Sequence, residues 1–371
     1  MTGSLSGKKG TGVIGRAEET SGREVTATLA RELARHCLAY RDPVTWRALV
    51  QLATTLPPFV ALCGLMLWGV AQGWWFMLTL CLPAGGLLVR LFIIQHDCGH
   101  GSFLPSRAAN DWLGRGLGLL TVTPYDSWKR AHALHHAGTG NLGRRGTGDI
   151  LTLTVREYAG RSWWGRLSYR LYRNPLLLVL LSSPLNFLLL QRLPGSMGLP
   201  WRAAWRDVGA LNLAIAASVA GLALAIGSLG AVLLVLVFTV SVAAWIGGWL
   251  FFVQHQYEGT VWDCPEDWDF HRAALGGSSY FVLPRALQWL TGNVGLHHVH
   301  HLNSRIPNYR LQACLEGHAF LGSMGRLSLL ESLRCGRLAL WDEEARRLVG
   351  FADLRPHPDR SAQRPEQGNQ Q

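Results

Sequence analysis

The sequence predicts an all-α integral membrane protein with four transmembrane helices, arranged as two hairpins beneath a cytoplasmic helical cap that carries a histidine-rich dimetal site. Three observations lead there. Hydrophobic residues make up 49% of the 371-residue chain, charged ones only 16%, and there are 16 tryptophans, a balance outside the usual range of soluble domains. Residues 52 to 72, 75 to 95, 208 to 228 and 231 to 253 are each apolar over the roughly 20 positions that a bilayer core requires. Histidines then gather in three short clusters, two after the first pair of spans and one after the second.

Taken in order, residues 1 to 25 are polar and rich in Gly, Ser and Thr, and read as a disordered tail with no cleavable signal peptide. A single membrane domain is expected over 26 to 355. It begins with a helix that places Leu29, Leu33, Cys37 and Tyr40 on one side and Arg31, Glu32 and Arg35 on the other. That pattern suits a helix on the membrane surface or an ordinary packing helix. The hairpin turns, around Gly73-Trp74-Trp75 and Gly227-Ser228-Leu229-Gly230, are uncharged, whereas the N-terminal 50 residues, 101 to 206 and the C-terminal segment are rich in arginine. The positive-inside rule puts those three regions in the cytoplasm.

A fifth apolar stretch, 176 to 190, contains Pro184 and as a straight helix would reach only about 22 Å of a core of about 30 Å. A true crossing there would separate the histidine clusters across the membrane, so their joint action requires an interfacial or re-entrant path. Residues 356 to 371 read as a second disordered tail. Seven cysteines show no paired spacing and suggest no disulfide framework. The net charge of +11 points to anionic lipid headgroups and an acidic protein partner rather than to nucleic acid.

The clusters are HDCGH (His96, His100), HALHH (His132, His135, His136) and, within GLHHVHHL, His297, His300 and His301. On a helix each set shares a face, while His298 points off its edge and Cys98, Leu134 and Val299 fall behind. Eight imidazoles exceed what one zinc takes, and two metals would receive about four each. Neutral imidazole suits iron, copper, zinc or nickel, so the spacing leaves the metal open. Asp97, Asp149, Glu258 and Asn293 lie near enough in sequence to support ligands from behind, or to serve as helix caps or surface charges.

HDCGHGSF at 96 to 103, HALHH with GNLGRRGTGDI at 140 to 150, and GNVGLHHVHHLNSRIPNYRL at 292 to 311 resemble the three histidine boxes of the membrane fatty acid desaturases. The resemblance lies within the acyl-lipid delta-12/omega-3-like branch that includes bacterial members, and covers about residues 45 to 335. It implies two non-haem iron ions held by nine histidines. The ninth matches His255 in FFVQHQYE, which by itself reads as a capping or interfacial residue. Where some relatives place a water-bridging asparagine one turn earlier, this chain has Phe251. His298 is a histidine beyond the box pattern and a candidate for a supporting role behind the ligands.

The activity implied is oxidative: dioxygen and two electrons introduce a double bond into a long acyl chain. The chain contains no haem-binding His-Pro-Gly-Gly, dinucleotide loop or cysteine cluster, so electrons are expected from outside, from ferredoxin with its reductase or from a small cytochrome. The implied location is a bacterial inner membrane, with the boxes on the cytoplasmic side. The alternatives are a hydroxylase or oxygenase of the same superfamily acting on a lipid, alkane or carotenoid, and a non-catalytic metal carrier or zinc-dependent receptor.

Overall fold

Four helices long and apolar enough to cross a membrane, Thr45–Ala71, Trp75–His100, Trp201–Ile226 and Leu229–His255, form two hairpins. The computed structural model describes residues 26 to 146, 148 to 195 and 199 to 354. Both expected tails, 1 to 25 and 356 to 371, lie outside the described residues. Each helix outruns its apolar window, because backbone hydrogen bonding continues where side chains turn polar. The first starts among Trp46 and Arg47, and the third begins with Trp201 and Arg202. The second and fourth extend to His100 and His255, so two spans end in box histidines.

Local chemistry sets the breaks. The first span is interrupted at Thr54 and Thr55, where Pro57 and Pro58 open the next helix in positions that need no intrahelical N–H. Gly73 and Gly227 turn the hairpins with φ of +82° and +75°, a conformation costly for other residues. The second and fourth spans pack at the centre, where Gly85 lies so near Val242 that a Cβ would meet its Cγ1 at 2.5 Å. Such small residues permit close helix approach in lipid.

The stretch from 176 to 190 lies within a bent pair, Trp163–Tyr172 and Leu177–Arg192, whose axes meet at 71°. It rests on the fourth span, where the Trp245 indole N–H donates to the Leu180 carbonyl at 3.0 Å. The N-terminal helix Ala27–Cys37 buries Ala30, Leu33 and Cys37 against Leu296, Val299, Leu302 and Cys314. It is a packing helix behind the third box, and the membrane-surface alternative does not apply. Strands of two or three residues stiffen the cap: 153 to 154 pairs with 340 to 342 and that with 347 to 349, and 280 to 282 pairs with 326 to 328.

Candidate metal centre

All three boxes are helical, and they meet. The first ends the second span, which Gly101 closes in a left-handed conformation. The second lies in Tyr125–Gly138 and the third in His297–Leu302. Their nitrogens form two sets, His96, His100, His132, His136 and His300 in one and His135, His255, His297 and His301 in the other, with the donor atoms of each set all within 4.8 Å of one another. Residues on both sides of the bent segment build this one centre.

Hydrogen bonding among the imidazoles does not account for the arrangement. His132 Nε2 lies 3.0 Å from both His100 Nε2 and His136 Nε2, and His136 Nε2 lies 3.1 Å from His300 Nε2. His255 Nε2 likewise faces His135 at 3.1 Å and His297 at 3.0 Å, while His297 faces His301 at 3.1 Å. An Nε2 carries either one N–H or one lone pair, so no choice of tautomers satisfies a chain of such contacts. A cation shared by each set would satisfy them all.

For two rings the bonding partner implies the tautomer, since a carboxylate and a carbonyl both only accept. His96 Nδ1 bonds Asp97 Oδ1 at 3.1 Å, leaving a buried Nε2 with no protein partner. His255 Nδ1 bonds the Gly277 carbonyl at 2.9 Å, which likewise turns an Nε2 lone pair inward. Burial, reinforced by the neighbouring imidazoles, holds His132, His135, His136, His297, His300 and His301 well below the ordinary histidine range. They are neutral, the form that binds metal.

The other residues singled out in the sequence lie at different distances. Asp97 is buried, touching His96 on one oxygen and Asn308 on the other. Asn293 donates to the Asn308 carbonyl at 3.0 Å, one step further out. Asp149 accepts from the Gly146 N–H at 2.7 Å, and burial pushes its carboxyl up to about 6. Glu258 is exposed. His298 is buried but turned away, with Nε2 on the Leu321 carbonyl at 2.9 Å. Phe251 lies with its ring centre 5.5 Å from those of both His135 and His255.

Several residues at the centre escaped sequence reasoning. Trp128 stacks on His132 with ring centres 4.8 Å apart and planes 12° from parallel; it sits four residues earlier on the same helix, a spacing that could have identified it. Gln254 and Gln256 flank His255, the first donating to the Val294 carbonyl and the second accepting from the buried Arg173. Asn308 and Gln51 had no periodic signal at all.

Comparison with known proteins agrees with this geometry. A family model described as "Fatty acid desaturase" matches residues 72 to 320, a stretch that includes every box. A "Fatty acid desaturase" of Bacillus subtilis is 39% identical over 328 residues, covering 88% of this chain and 92% of its own length. A "sn-1 acyl-lipid omega-3 desaturase (ferredoxin)" of Synechocystis is 30% identical over 66% of this chain and 68% of its own. A "sn-1 oleoyl-lipid 12-desaturase" of Anabaena variabilis is 28% identical over 68% and 72%. With its four apolar spans and its two converging histidine sets, the chain belongs to the fatty acid desaturase family.

Proposed function

We propose that this membrane desaturase inserts a double bond into a long acyl chain carried on a membrane glycerolipid, using dioxygen, a diiron centre held by nine histidines, and electrons from ferredoxin. The observation that carries this reading is the convergence of nine imidazoles as sets of five and four, more than a single zinc takes. Iron bound there would supply the redox chemistry that reduces dioxygen and makes an unactivated C–H bond breakable. Two hydrogens leave the substrate, and with two electrons and two protons from outside, dioxygen ends as two waters. The chain's own part is to hold the imidazoles neutral, to fix their rings from behind through Asp97 and the Gly277 carbonyl, and to keep the acyl chain in register. The names of the relatives support the substrate and the donor: two are acyl-lipid omega-3 desaturases marked with ferredoxin.

The unit spans residues 26 to 355, with 176 to 190 interfacial and the boxes at the cytoplasmic face of a bacterial inner membrane. Arginine-rich loops beside the boxes support that orientation. Labels on cysteines placed at the exposed Arg107 and Arg305 are expected to react from the cytoplasm, and one at Gln72 from outside. Labelling of position 305 from outside would overturn the orientation. Purified protein is expected to hold about two irons per chain, and expression in a bacterial host should yield new double bonds that lipid mass spectrometry can locate. Hydroxylated products would favour the oxygenase alternative, and zinc without iron would reject both.

A further inference from the structure

We propose that Asn308, its amide supported by Gln51, is a positioning residue for His96 and thereby tunes the metal affinity of the five-histidine set alone. This rests on the dimetal reading above. Asp97 Oδ1 holds His96 Nδ1, and its Oδ2 accepts two bonds from Asn308, from the backbone N–H at 2.6 Å and from Nδ2 at 2.8 Å. A side-chain amide can face either way, and reversed it would set its oxygen against the carboxylate. The carboxylate only accepts, so Nδ2 must face Asp97, and Gln51 of the first span supports that direction, its Nε2 donating to Asn308 Oδ1 at 2.9 Å while its own buried Oε1 has no hydrogen-bond partner. All four residues are buried: Asn308 is 1% exposed, Asp97 2%, Gln51 4% and His96 5%. Burial raises the cost of leaving any of these groups unpaired. The relay therefore runs from the first span through the segment after the third box to one ligand, and among the described residues none of these bonds reaches the Gly277 carbonyl behind His255.

The test is titration of the purified, metal-free full-length chain with cobalt(II), read by its visible ligand-field bands against a competing chelator. The unaltered chain should bind two equivalents. Asn308→Leu should keep one at unchanged affinity and weaken the other by about 10-fold, the low end for residues behind a ligand because the backbone N–H remains. The weakened equivalent should be the one lost in His96→Ala. Gln51→Leu should act in the same direction more mildly, and Gln51→Glu more severely, since an ionised carboxylate cannot donate to Oδ1 and favours the reversed amide. General loosening of the fold would weaken both equivalents together. Equal weakening, or unchanged binding in Asn308→Leu, overturns the proposal. Should Asn308→Leu not fold, unchanged binding in both Gln51 variants overturns it as well. Fewer than two equivalents in the unaltered chain would defeat the dimetal reading itself.

Discussion

The two histidine sets are made of the same residue type yet built differently. The five-histidine set takes two pairs at i, i+4, His96 with His100 and His132 with His136, and adds His300; the four-histidine set takes one such pair, His297 with His301, and adds His135 and His255. Helix geometry explains the exchange. Positions i and i+4 diverge by only about 40°, whereas i+3 lies about 100° from i+4, so a His-x-x-His-His box cannot aim all three rings at one ion. The middle histidine of each box serves the other set. Their backing differs too: a carboxylate stands behind His96 and a backbone carbonyl behind His255. Since a carboxylate raises imidazole basicity more than a neutral acceptor does, the two metals are expected to be unequal.

The largest effects should come from breaking either set. His132→Ala and His297→Ala are each expected to lower desaturation by more than about 100-fold, beyond what residues behind a ligand usually contribute. Metal analysis should separate them: the first should lose the metal of the five-histidine set, the second that of the four-histidine set. Loss of the same metal from both would mean that the partition is wrong. Asp97→Asn comes next, with a fall approaching about 100-fold in affinity at the five-histidine set and little change at the other. Equal loss at both would remove the carboxylate from the comparison.

Phe251 offers a way to sharpen the comparison from the other side. Its ring covers His135 and His255, so that edge of the four-histidine set is apolar. Phe251→Asn would put a polar amide there and is expected to shift the cobalt bands of that set only, with less than about a 10-fold change in affinity. A shift in the bands of the five-histidine set would show that the two share more than their proximity.

The parts legible in the sequence were those with a period. Apolar windows located four spans, and i, i+3, i+4 spacing located eight ligand candidates, because both patterns follow from helix geometry alone. His255 has no partner at helical spacing, and only resemblance singled it out. Glu258 stood equally close to it in sequence, yet it faces outward just past the helix end. Asn308 follows a proline and reads as the start of a helix, and nothing local reveals that it faces Asp97 across 211 positions. The amphipathic helix Ala27–Cys37 left its setting open because an apolar stripe fits protein or lipid equally well. The cap strands escaped because two or three residues are too few for an alternation to register.

The smallest effect is expected at His298, the fourth histidine of GLHHVHHL. On the helix it lies about 60° beyond His301, and its ring faces Tyr280 and the Leu321 carbonyl rather than either set. His298→Ala removes a hydrogen bond and leaves that carbonyl unpaired beside a small cavity, a loss of about 1–3 kcal/mol of stability. It touches no donor of either set. The variant should therefore melt earlier in detergent while keeping its bound iron and measurable production of unsaturated acyl chains, in contrast with its neighbour His297→Ala, which should lose both. Normal iron with strongly reduced turnover would point to an indirect role through the strand at 280 to 282, whose residue Tyr280 packs on the His298 ring. Iron lost as completely as in His297→Ala would mean that the third box is not read by helical register, and the division into five and four would have to be redrawn.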